Sequence, residues 1–215
     1  MPIPKTIFQT FKSSSLPWIT KWHIYRMKKM NPNYAYEFYT DERIIEFIRT
    51  YFGIDTLNIY LKIQVGAAKA DFFRYLVLFQ FGGIYLDIDS QIKQPLDNLI
   101  KSDDRAIISL EDNQRFYVQW AMLYEANHPF LAKTIEIVVE NIRHNKYPID
   151  SHKMTGPSAY TEAIHRCLEE NPSISYRQFG IDYNGHFKFS YPMSKFFLYN
   201  KKDHWKQMQQ HGVLK

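Results

Sequence analysis

The 215 residues are 45% apolar with a net charge of +5, which is enough to bury the core of one domain and too ordered a composition for a disordered tail. The single cysteine, Cys167, excludes an internal disulfide framework and fits a reducing compartment. No apolar run approaches the length of a membrane span and the N-terminus has no secretory pattern, so a cytoplasmic protein, soluble or peripheral at the inner face of the membrane, is expected.

In chain order, Lys5-Thr6-Ile7-Phe8 is a β-branched and aromatic run that predicts a buried strand. Ser13-Ser14-Ser15 is a loop. Pro17 then sits where a helix starts, running to about Met30 until Asn31-Pro32-Asn33 stops it. Tyr34 to Tyr39 predicts a second strand. Thr40 caps the next helix, with Arg43 where a capping-box Glu would stand, and that helix is expected to end near Gly53. Residues 64–81 give the strongest helical pattern, closed by Gly82-Gly83, and Ile84-Tyr85-Leu86 is a short strand aimed at Asp87. This alternation predicts an α/β domain on a mostly parallel sheet flanked by helices.

Beyond Asp89 the pattern loosens. Strands are expected at Ala106–Leu110 and Phe116–Tyr124, helices at Pro129–Asn145 and from Gly156-Pro157 through Leu168, and short strands at Ile174–Phe179 and Phe196–Tyr199. The polar stretch from Asn200 reads as a mobile tail.

The chemistry concentrates in residues 67–89. An apolar strand delivers Asp87 and Asp89, and alternation puts both carboxylates on one side if extended geometry continues. Two close anions repel unless a cation lies between them, and an oxygen donor set suits Mn²⁺ or Mg²⁺. Asp71 and Arg74 lie three apart on the long helix and share a face, suited to ligand hydroxyls and phosphate as well as to an intrahelical ion pair.

The segment Ala67–Asp89 resembles the donor-binding signature of the glycosyltransferases whose sugar-binding region contains a DXD motif, which include yeast initiating α-1,6-mannosyltransferase and bacterial capsule and lipopolysaccharide enzymes. It is also similar to the catalytic domain of the clostridial glucosylating toxins. Ile3-Pro4-Lys5-Thr6-Ile7-Phe8-Gln9-Thr10 resembles the family's opening strand and Asn31-Pro32-Asn33-Tyr34-Ala35-Tyr36-Glu37 its second-strand entry. The resemblance implies a single GT-A-like domain over 1–215, with a nucleotide-sugar-binding half at 1–100 and an acceptor-side half at 101–199. It implies a UDP-hexose or GDP-mannose donor, Mn²⁺ or Mg²⁺, and retention of configuration at the transferred sugar. Carried onto this chain, Phe8 stacks on the base with Gln9 and Thr10 beside it. Asp71 and Arg74 hold ribose and sugar, and Tyr85 contacts the donor near the diphosphate. Asp87 takes hydroxyls and a metal-bound water, and Asp89 ligates the metal.

The chain departs from the family at two places. Phe8 and Phe11 stand where His and Trp are common, and the C-terminal stretch keeps Trp205 but has His204 in place of a serine. Trp205 is carried over as a donor contact, and His204 is a candidate metal ligand on chemistry alone. Thr155-Gly156-Pro157 resembles a short acceptor-side segment. Glu111 and Asp112 follow a predicted strand and are the candidates for a nucleophile, although same-face attack needs none.

A glycan or lipid-linked acceptor in surface polysaccharide assembly is the expected partner, and nucleic acid is not. Two other readings stay open: a phosphatase of the haloacid dehalogenase type, with Gln91 where Thr or Val is usual, and a basic polyanion-binding module. The charge supports a surface role of some kind. No acid precedes Glu37, whereas Lys5, Lys12, Lys21, Arg26, Lys28 and Lys29 do, and such a stretch attracts nucleotide phosphates, anionic lipid or nucleic acid, with peripheral contact with anionic membrane among the expected partners.

Overall fold

The computed structural model describes residues 2–192, 194, 198 and 209–215. Strands β1 (Thr6–Thr10), β2 (Ala35–Tyr39), β3 (Gly83–Leu86), β5 (Ala106–Ser109), β6 (Ala121–Tyr124) and β7 (Arg177–Phe179) form a six-stranded sheet in the order β2-β1-β3-β6-β5-β7. Only β6 runs against the others. The short strands β4 (Gln91–Ile92) and β8 (Phe187–Lys188) pair separately.

Alternation along the strands divides the core. Phe8, Tyr85, Met122, Tyr124 and Ile108 face helices α2 (Asp41–Lys62), α3 (Gly66–Phe81), α4 (Pro129–Arg143) and α6 (Pro157–Glu170). Ile7, Ile84, Leu86, Leu123 and Ile107 face the other way, against Met27 of α1 (Trp18–Met30) and the segment around Leu96 and Leu99. The short helix α5 (Ser151–Met154) precedes α6.

Gly82 and Gly83 make the join from α3 to β3. Gly82 ends the helix at φ 64°, and a Cβ on it would meet the Ala126 nitrogen at 2.7 Å. Gly83 has φ 105°, and its Cβ would meet the Thr6 carbonyl at 2.7 Å. Only glycine permits this backbone at this spacing, which lets β3 lie against β1 and emerge with Asp87 at its end.

The expected elements differ from the observed ones in informative ways. Gly53 breaks the helix at φ 75°, where the first stretch was expected to end, and a further helical stretch, unexpected from the sequence, follows it and buries Leu57, Ile59 and Tyr60. The expected strand Phe116–Tyr124 shortens to β6, because Gln119 turns its side chain and its carbonyl toward α3. Thr40 caps α2 by accepting from the Arg43 amide at 3.4 Å, the half capping box expected. Most of the strand expected at 196–199 lies outside the described residues, and Leu198 is helical. Of the tail expected to be mobile, 200–208 lie outside the described residues, whereas 209–215 are anchored. The Val213 carbonyl accepts from Gln64 and its amide donates to Pro148, and Lys215 donates to Lys62.

Candidate active site

α3 and β3 bring the chemistry together at the edge of the sheet where β1, β3 and β5 end. Arg74, 4% exposed, lies at the centre. Its Nη2 is 2.9 Å from Asp87 Oδ1 and 3.3 Å from Asp71 Oδ1, and its Nη1 donates to the Gln119 carbonyl at 3.0 Å. The guanidinium also lies 4.8 Å from the Tyr85 ring centre. Burial works against the arginine's charge, but Asp87, Tyr85 and Asp71 hold it protonated, above its ordinary value. Arg74 Nε is buried and has no acceptor among the described residues.

Asp71 is almost wholly buried, and each of its carboxylate oxygens accepts a hydrogen bond. Gln119 Nε2 donates to Oδ1 at 2.8 Å and the Thr155 hydroxyl donates to Oδ2 at 3.0 Å. Tyr75 secures both partners, donating to Gln119 Oε1 at 2.7 Å with the Thr155 carbonyl at 2.9 Å. Burial pushes the Asp71 carboxyl up to about 6, Arg74 opposes that rise, and the neighbouring Asp87 charge adds to it. Asp87 is raised too, by burial, against the pull of Arg74 and the Tyr85 hydroxyl bond. The Asp87 side chain is 26% exposed, and its bonds from Arg74 and from Tyr85 (3.1 Å) both fall on Oδ1.

Strand alternation does not relate Asp87 to Asp89, contrary to the expectation from the sequence. Extended geometry ends at Leu86, and Asp87 opens a turn closed by a 2.9 Å bond from the Ser90 amide to its carbonyl. Asp89 is 6% exposed, and its carbonyl accepts from the Tyr191 amide at 2.8 Å. The turn, not strand alternation, sets the relation between the two acids.

The opening strand is likewise corrected. Phe8 is 2% exposed and its ring stacks on Phe81 inside the core, so it offers no face to a base. Gln9 and Thr10 also point inward. Gln9 Nε2 supports the Asp87 carbonyl at 3.1 Å while its Oε1 accepts from Tyr36, and Thr10 donates to the Tyr39 carbonyl. Tyr85, 1% exposed, serves the site through Asp87. Trp205 and His204 lie outside the described residues. Among the described residues, no three His, Cys, Asp or Glu side chains converge on one point. Glu111 is raised by burial, is held by Asn113, and closes a hairpin through its amide to Phe116. Gln119 and Thr155 are the site residues that sequence reasoning missed in these roles: nothing in their spacing points to Asp71, and only the fold brings them there.

Residues 20–106 match the glycosyltransferase sugar-binding region containing DXD motif. The matched stretch takes in α1 from Thr20 onward, Asp71, Arg74 and the Asp87–Asp89 turn. Inositol phosphoceramide mannosyltransferase 3 of Schizosaccharomyces pombe is 38% identical over 101 residues, 46% of this chain and 27% of that protein. The initiation-specific alpha-1,6-mannosyltransferase of the same yeast is 28% identical over 191 residues, 75% of this chain and 48% of that protein. The chain therefore spans about a quarter to a half of the length of these relatives. PaToxG glycosyltransferase superposes with a TM-score of 0.61 at 21% identity, over 80% of this chain and 70% of that one. The UDP-bound glycosyltransferase domain of the YGT toxin does so at 0.54 and 10%, over 84% and 80%. These structural likenesses show that the chain shares the fold of those glycosyltransferases.

Proposed function

We propose that this chain is a retaining, metal-dependent glycosyltransferase that moves a hexose from a UDP- or GDP-sugar to a glycan or lipid-linked acceptor in surface polysaccharide assembly. The observation that carries this reading is the buried Arg74, which ties Asp71 of α3 to Asp87 at the end of β3, next to the turn that holds Asp89. The mannosyltransferase relatives and the UDP-bound neighbour support the substrate class.

The residues have separable roles. Asp71, clamped by Gln119 and Thr155, accepts from sugar hydroxyls in a fixed direction. The orphaned Arg74 Nε is a buried donor that a ligand oxygen would satisfy, relieving a cost of about 1–3 kcal/mol. Asp87 keeps Oδ2 for a ligand because Arg74 and Tyr85 both use Oδ1. An all-oxygen donor set fits a divalent cation that completes its shell with water and phosphate oxygens. Asp89 would hold Mn²⁺ or Mg²⁺ directly and Asp87 through water, and the ion would neutralise charge on the departing diphosphate. In a same-face transfer the acceptor hydroxyl attacks the anomeric carbon, the bond to the diphosphate breaks, and a diphosphate oxygen takes the proton. No enzyme nucleophile is then required, which agrees with Glu111 being occupied in its own hairpin.

The test is a thermal-shift series of the whole chain with UDP- and GDP-sugars, each with and without Mn²⁺, for the natural sequence and Asp89→Asn. One donor should raise the melting temperature only with Mn²⁺, by the equivalent of about 2.7 kcal/mol at a hundredfold excess over its dissociation constant. Asp89→Asn should melt normally but lose that rise and all donor turnover. An unchanged rise in the variant would remove the metal role from Asp89.

A further inference from the structure

Helix α1 presents an outward face that neither the donor site nor the core uses. Trp18 is 71% exposed, Trp22 44% and Tyr25 60%, all on this one helix. At 3.6 residues per turn, Trp18, Trp22, Tyr25 and Lys29 fall within about 40° of a common line. Lys21 and Lys28 lie along one flank and Arg26 along the other, and all three are exposed. The Arg26 guanidinium lies 4.9 Å from the Trp22 ring centre. There is no acid on α1. The opposite side of the helix is seated on the protein through the buried Thr20 and Met27.

From this juxtaposition we propose that α1 is a docking helix for a lipid bilayer bearing anionic headgroups, with the aromatic stripe lodged at the interface and the flanking cations among the phosphates. Indole and phenol rings favour the membrane–water boundary, and lysines near an anionic surface are attracted to it. A second copy of the chain would set these cations against their own kind.

Docking here would also orient the site. The Thr20 hydroxyl is 2.7 Å from the Tyr191 hydroxyl, and the His23 ring stacks on the Tyr191 ring at 4.2 Å. The Tyr191 amide in turn holds the Asp89 carbonyl. The helix that meets the bilayer is thus two contacts from the Asp87–Asp89 turn, so docking would fix how that turn stands relative to the surface where a lipid-linked acceptor lies. This last step rests on the glycosyltransferase reading, but the docking itself does not.

The experiment is vesicle sedimentation of the whole chain, with phosphatidylcholine alone or mixed with phosphatidylserine, at low and high salt. Quenching of tryptophan emission by brominated lipid is read in parallel. The expected result is binding to the mixed vesicles only, weakened by salt, with quenching. Trp18→Ala combined with Trp22→Ala should abolish the quenching and weaken binding, and Lys21→Glu, Lys28→Glu and Lys29→Glu should each weaken binding about fivefold or more. Asp89→Asn should bind vesicles as the natural sequence does, so failure of the donor site and failure of docking are told apart. The proposal is overturned if the natural chain ignores vesicles, binds neutral and anionic ones equally, binds single-stranded RNA in their place, or keeps its binding and quenching without the two tryptophans. Each altered side chain of α1 is exposed, and a melting curve for every variant, the buried Asp89→Asn included, confirms that the fold is kept.

Discussion

Thr155→Val tests the clamp on Asp71 without touching Asp71 itself. The substitution keeps the shape and removes one hydroxyl, which lies 3.0 Å from Asp71 Oδ2 and 3.3 Å from the Ser151 carbonyl. The single proton goes to the nearer, charged acceptor. A hydrogen bond to a charged group contributes roughly 1.5–3 kcal/mol, and 1.36 kcal/mol corresponds to one pKa unit. Losing about 2 kcal/mol of carboxylate stabilisation would carry Asp71 from about 6 to roughly 7.5. The sign follows from proton linkage. Because the native carboxyl sits above its ordinary 3.8, the native state holds a proton that the unfolded chain has released. Stability from this group is therefore full below pH 3.8 and is lost as pH rises through about 6. In the variant that loss continues to a higher pH. Urea unfolding of both proteins at about pH 5 and about pH 8.5 should show a stability gap that widens by about 2 kcal/mol at the higher pH. The acid limb of donor turnover should move upward with it. A gap of the same size at both pH values would mean that Thr155 only fills space, and the clamp argument would be wrong.

Two further substitutions bear on the same structure. Arg74→Met removes the counter-ion of Asp71 and Asp87 together, and the two stranded carboxylates should cost about 3–5 kcal/mol in urea unfolding, along with all donor binding; a loss under 1 kcal/mol would show that the acids do not depend on the arginine. Gly83→Ala forces a Cβ to 2.7 Å from the Thr6 carbonyl at φ 105°, so it should destabilise the chain by at least about 2 kcal/mol. Gly53→Ala is the control, because Gly53 also has positive φ but open space around it, and it should cost about 1 kcal/mol. Equal losses at the two glycines would remove the steric account of how β3 reaches β1.

What the sequence determined by itself is local. Hydrophobic period and punctuation located β1, α1, β2, α3 and β3 to within a few residues, because each is set by its own side chains and by breakers such as Asn31-Pro32 and Gly82-Gly83. The Asp71/Arg74 spacing and the two acids after β3 were legible for the same reason, since a helix face and a strand end are short-range geometry. The tertiary structure decided what was not local. Gln119 and Thr155 reach Asp71 across 48 and 84 residues of chain, a distance over which no spacing carries information. The family resemblance implies a base-stacking role for Phe8, but its side of β1 faces α2 and α3, and the ring packs against Phe81. The relation of Asp87 to Asp89 was read as strand alternation, but the strand ends where β6 stops pairing with it, and a turn takes over. Period shows which residues share a face, but the face they meet depends on elements far along the chain. That is why the site's members could be named from the sequence and their partners could not.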